Sequence, residues 1–189
     1  MRKLDDQLKA AIARLPVKEK DKLLFRLVAK DEKLVRKLIF ELLEGGETRD
    51  DRADELRQQI AKYLPTTGAL YLTPGLLLLD LRHWNARINE HVQATKDKSG
   101  EVSLVVFLLA EAFRRHNEML LRFPAHRSQT FAPYVVKRVS VILKKAEKLH
   151  EDYFIEFRRE LNELLDFIWG FKPTAQLAQQ EGLPRRWEY

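Results

Sequence analysis

Two acid-x-x-His pairs occur in the chain, Asp80 with His83 and Glu147 with His150. Residues three apart share a helix face, and this register is how carboxylate-bridged dimetal bundles offer an oxygen and a nitrogen ligand from one helix. The neighbouring apolar residues argue against that chemistry here. Leu77, Leu81, Trp84 and Ile88 trace the face expected to be buried, whereas Asp80 and His83 share a stripe with Arg87 and Glu90 that should face water. Glu147 falls off the apolar seam through Ala146 and Leu149, and His150 lies at its border. With 28 acidic residues in 189 positions, each of the five His has about a 15% chance of an acid three residues before it, so two such pairs are unremarkable. No metal ligand is assigned, and Asp80, His83, Glu147 and His150 are the candidates should a metal bind.

Other reactive signatures are missing from the sequence. There is no Gly-x-Gly-x-x-Gly, no phosphate loop ending in Gly-Lys-Ser/Thr and no Gly-x-Ser-x-Gly elbow. Ser103, Ser128 and Ser140 have no base beside them in sequence, and the absence of Cys excludes a thiolate nucleophile, a thiolate metal site and a disulfide framework. No catalytic residue and no cofactor are expected, and an enzyme has no positive support.

Charge supplies the one positive signal. Residues 112–148 hold Arg114, Arg115, Arg122, Arg127, Lys137, Arg138, Lys144, Lys145 and Lys148 against Glu118 and Glu147. The net charge of the whole chain is +6, so this region holds the entire basic excess. Lys137, Lys144 and Lys148 fall at i, i+7 and i+11 on one helical face, with Arg138 and Lys145 alongside. Clustered Lys and Arg with few aromatics could track phosphates in a salt-sensitive, sequence-tolerant way, with Arg114 and Arg115 adding to the patch. The competing reading is an ordinary solvated helix face.

The elements that must position these residues are helical. A composition that is 45% apolar and 33% charged, with seven Gly and seven Pro, favours an all-α protein with a real core. The apolar spacing predicts a first helix over about 2–14, stopped by Pro16, and a second ending near Lys30. Asp31 should cap a third helix carrying Leu34, Leu38 and Leu42, closed by Gly45 and Gly46. Thr48-Arg49-Asp50-Asp51 reads as a capping box for a fourth, which holds Leu56, Ile60 and Leu64 and ends at Pro65. These short helices suggest stacked, repeat-like hairpins over 1–64.

Residues 65–72 form the expected linker. Beyond it, Thr73 caps a helix that runs from Pro74 towards Asp97 and is broken by Ser99-Gly100. A helix over about 101–121, apolar on several sides, should be central. Residues 133–169 contain no Gly or Pro after Pro133 and read as one helix of ~55 Å. The expected division is therefore hairpins (1–64), linker (65–72), a long-helix bundle (73–171) and a tail (172–189) either frayed or docked through Trp187, unless all form one compact domain.

The segment from Leu15 to Leu56, LPVKEKDKLLFRLVAKDEKLVRKLIFELLEGGETRDDRADEL, resembles the N-terminal part of a family of all-helical bacterial proteins with no assigned activity. That resemblance covers under a third of the chain and implies a helix-packing pattern, with no functional residue. The acidic Asp5 and Asp6 stand where an export signal would be apolar, and the longest apolar run, 69–79, is interrupted by Thr73-Pro74-Gly75, so a cytoplasmic protein is expected. The leading expectation is a helical scaffold that binds a protein partner or its own copies, with nucleic-acid binding as the alternative and a dimetal enzyme third.

Overall fold

In a computed structural model of the chain, residues 4–67 and 73–189 are described, the side chains of Thr66 and Thr67 excepted, and all regular structure among them is helical. The first three helices are α1 (Asp6–Ala13), α2 (Val17–Val28) and α3 (Glu32–Leu38). Asp31 caps α3 as its position predicts, its Oδ1 accepting from the backbone N–H of Lys33 at 3.0 Å and of Leu34 at 3.1 Å.

The expected run of α3 to Gly45 is not what forms. The chain widens into a π turn over Ile39–Leu43, closed by Glu44 N–H to Ile39 C=O at 3.1 Å and Gly46 N–H to Phe40 C=O at 2.9 Å. Gly45 and Gly46 have φ of 63° and 76°, the left-handed region a side chain resists. The extra residue per turn points Phe40 inward, where it is buried, and leaves Leu42 and Leu43 outside.

α4 (Arg49–Thr67) continues through Pro65, against the expectation that proline would end it. Pro65 lacks only the N–H that would reach the Ala61 carbonyl, a loss tolerable within two residues of the helix end. The rest of the expected linker, 68–72, lies outside the described residues. Thr48 does not serve the expected capping box: its hydroxyl donates to the Glu44 carboxylate, which Arg52 also holds, with Arg52 Nε 2.8 Å from Glu44 Oε2.

α5 (Pro74–Thr95) starts on Thr73, whose Oγ1 accepts from Leu76 N–H at 3.3 Å. The break after it falls at Lys96, with φ 61°, and not at Ser99-Gly100, which lie in the first turn of α6 (Lys98–Arg122). Asp97 is the reason: its Oδ1 accepts from Gly100 N–H at 2.8 Å and from the Ser99 hydroxyl at 3.1 Å. An N-cap of this quality outweighs the low helix propensity of the two residues it binds.

The single long helix expected over 133–169 is two: α7 (Phe131–Ala146) and α8 (Asp152–Gly170). The turn between them tightens to i→i+3 bonds, Lys148 N–H to Lys145 C=O at 3.1 Å and Leu149 N–H to Ala146 C=O at 3.0 Å. Packing explains the break. Both helices lie on α6, whose 25 residues span roughly 38 Å at 1.5 Å per residue, so an unbroken ~55 Å rod would overrun its support.

α9 (Lys172–Gln180) follows, and the tail docks through Trp187. Trp187 N–H donates to Asn162 Oδ1 at 2.8 Å and its carbonyl accepts from Asn162 Nδ2 at 3.2 Å, while the ring meets Phe154 and Tyr189. One apolar core joins Leu56, Ile60 and Leu64 of α4 to Leu81, Val105, Phe113, Ile142, Leu161 and Trp187. Helix α6 is central, as its all-round apolar pattern predicts, packing against α4, α5, α7 and α8.

Candidate interaction surface

The N-terminal arm departs from this economy of burial. α1, α2 and α3 bury no residue, and in residues 4–43 only Phe40 reaches the core. Among the described residues seventeen large apolar side chains are exposed, and eleven of them fall in this arm. Phe25 is 68% exposed, Val17 71%, Leu42 73% and Leu43 80%. The remaining six are scattered over α4, α5, α6, α8 and the C-terminus, the single exposures that any surface shows.

Helices of eight and twelve residues are too short to be stable in water without packing, which makes the exposed apolar residues of α1 and α2 a strained arrangement for an isolated chain, whereas α3 rests on α5. The sequence carried a signal of this. Leu23, Leu24, Phe25, Leu27 and Val28 occupy five of six consecutive positions, an apolar arc over more than half the helix circumference, wider than one neighbour in a hairpin can cover.

The basic region is more occupied than its sequence suggests. Arg114 is bound by Glu163 at 2.5 Å and Glu111 at 2.7 Å, and Arg115 by Glu111 at 2.7 Å. Arg138 donates to Asn85 Oδ1 at 2.8 Å, and Lys145 pairs with the buried Glu101. A buried carboxylate left without its cation is strongly destabilising, so Arg114, Arg115 and Lys145, which hold the buried Glu111 and Glu101, belong to the fold. Burial works against the Glu111 carboxylate, but hydrogen bonds from Arg115 and Arg114 overcome it and hold its pKa below the usual range. Lys137, Lys144 and Lys148 remain exposed, with no ion-pair partner among the described residues.

The four metal candidates are placed apart in chemistry. Asp80 accepts from the Tyr63 hydroxyl at 3.2 Å, and His83 is exposed with its ring edge-on to Trp84. Glu147 and His150 are exposed in the turn between α7 and α8, where His150 Nδ1 lies 3.1 Å from Asp152. Among the described residues no three His, Asp or Glu are arranged to hold a metal ion. A cleft of about 480 Å³ beside α3, α4 and α5 is lined among others by Arg36, Glu44, Arg52, Glu90 and His91, and these five are engaged in ion pairs or hydrogen bonds. Arg52 binds Glu44, Arg36 lies 3.6 Å from Glu90, and His91 Nε2 lies 3.3 Å from Asp97. No helix among the described residues is long and apolar enough to cross a membrane.

His116, buried on α6, gives the protein a pH dependence. Burial lowers its pKa from the ordinary value near 6.5, against the opposing pull of a backbone bond to Leu64 and the charge of Asp80, and its Nε2 has no partner among the described residues. The folded state therefore resists a proton that the unfolded chain accepts, and stability falls as pH drops below about 6.5. The carboxylates act elsewhere: Glu163, held by Arg114, and Asp97, held against burial by His91, Gly100 and Ser99, have lowered pKa values whose contribution is lost only below about pH 4. Melting curves between pH 7 and 5 should show this loss, and His116→Gln should flatten it; equal slopes in the two proteins would remove His116 as its cause.

No family model, curated protein or solved structure matches the chain.

Proposed function

We propose that this is a cytoplasmic, non-catalytic helical protein that works by docking another protein surface onto its N-terminal arm, residues 4–43. What supports this is the concentration of exposed Leu, Ile, Val and Phe on an arm of three short helices that bury nothing, beside a bundle that buries its apolar residues thoroughly. Burying such residues against a partner is the hydrophobic driving force of association, roughly 1.5–3 kcal/mol per fully covered Leu or Phe. The bundle formed by α4 to α9 is then the rigid platform from which the arm projects.

Photo-crosslinking in the cells that make the protein tests this. A benzophenone amino acid replacing Phe25 or Leu42 should give discrete higher-mass protein adducts, and the same probe at Lys144 should not. No adduct at either arm position would overturn the reading. Adducts confined to position 144 would do so in favour of the basic face of Lys137, Lys144 and Lys148.

A further inference from the structure

We infer that the surface docked onto the arm is the arm of a second copy of this chain, so that the protein is a two-fold dimer joined through residues 4–43. This rests on the arm being an interaction surface and names what covers it. Three observations lead there.

The first is area. At a full exposure of roughly 180 Å² for a Leu-sized residue, the eleven exposed apolar residues of the arm together present on the order of 1,000 Å² to solvent. A standard stable interface buries about 800 Å² on each partner, so one arm carries about what one side of such a dimer needs.

The second is charge. Residues 4–43 hold ten Lys and Arg against seven Asp and Glu, interleaved in α2 as Lys18, Glu19, Lys20, Asp21 and Lys22. Several are already paired within the arm, Lys9 with Asp6 at 2.7 Å and Lys37 with Glu41 at 3.5 Å. A nucleic acid or a strongly acidic surface would favour a single sign of charge along the contact. A mixed rim around an apolar centre suits a protein surface of the same composition.

The third is closure. For one copy to bind another through two different patches, a second apolar surface of matching size is needed, and elsewhere among the described residues the exposed apolar side chains are dispersed. The complement of the arm on another copy is therefore the arm itself. An isologous contact of that kind is satisfied by two copies and stops there, without growing into a filament.

The purified 189-residue chain should sediment and scatter as a dimer from 1 to 100 μM, at about twice its 22.3 kDa. Leu24→Glu combined with Phe25→Glu should give a monomer at 100 μM with an unchanged helical spectrum, because both residues are exposed, Glu is a good helix former, and the substitution sets like charges against each other across the two-fold axis. Ile155→Glu, at an 84% exposed apolar position on α8, should leave the dimer intact. A wild-type chain that is monomeric throughout that range would overturn the second copy, and so would a dimer that survives the α2 double substitution. In the crosslinking experiment, arm adducts at masses other than that of two chains would end this inference while leaving the docking role standing, and their complete absence would end both. A monomer that floats with phosphatidylserine vesicles would reassign the arm to a lipid surface.

Discussion

Trp187→Ala destabilises the protein by about 3–5 kcal/mol, the cost of removing a large buried aromatic and leaving its cavity. For a chain of this length that corresponds to a fall in melting temperature of roughly 10 °C. Trp187 is 2% exposed, lies in the core with Leu161 and Leu165, and meets the rings of Phe154 and Tyr189 at centroid distances of 5.2 and 5.6 Å. Its docking is what holds the C-terminal segment on α8, assisted by the paired bonds to Asn162 and by Trp169 Nε1–H donating to the Pro184 carbonyl at 3.1 Å. The indole Nε1 of Trp187 has no hydrogen-bond partner among the described residues, so the ring acts by volume alone. Trp187→Phe should therefore recover most of the loss. Thermal denaturation of the three proteins decides the matter: an alanine variant as stable as wild type would mean that the tail is not docked.

Gly100→Ala has an effect whose sign depends on Asp97. A Cβ built on Gly100 lies 1.9 Å from Asp97 Oδ2 and 2.6 Å from its Cγ, so the carboxylate must leave the position in which it caps α6 and meets His91. Losing that cap and stranding a buried His should cost about 2 kcal/mol in the wild-type background. With Asp97→Ala already in place there is nothing to collide with, and alanine at position 100 should raise stability by about 0.5 kcal/mol through its better helix propensity. A double-mutant cycle by urea denaturation measures both arms. If Gly100→Ala costs the same in either background, the collision is not the reason for glycine at this position.

Much of the fold was legible because it is written in local signals. Asp31 and Thr73 cap where a short polar side chain precedes an apolar run, and the all-round apolar pattern of residues 102–109 marks the central helix. Errors arose where two local rules competed or where a neighbour intervened. Ser99-Gly100 read as a breaker, yet Asp97 three residues before Gly100 turns the same residues into a capped first turn. The stripe from Val135 to Ile168 keeps its phase across the turn at 147–151, so periodicity could not see a break that is set by the length of α6.

The candidate site divides in the same way. The apolar spacing of Leu4, Leu8, Leu24 and Leu27 was visible in the sequence, but periodicity says only that a face wants cover. That nothing among the described residues covers it is a statement about every other element, and only their packing could make it. The basic stretch shows the converse. Its charge was countable, whereas the pairing of Arg114, Arg115 and Lys145 with Glu163, Glu111 and Glu101 reaches up to 49 residues along the chain. By itself the sequence determined an all-helical protein, the starts of α3, α4 and α5 and the identity of its core helix, because capping and amphipathic burial act within a few residues. The tertiary structure alone decided which charges are spent inside the fold, where the Gly-free segment turns and which apolar face is left open, because each depends on what lies opposite in space.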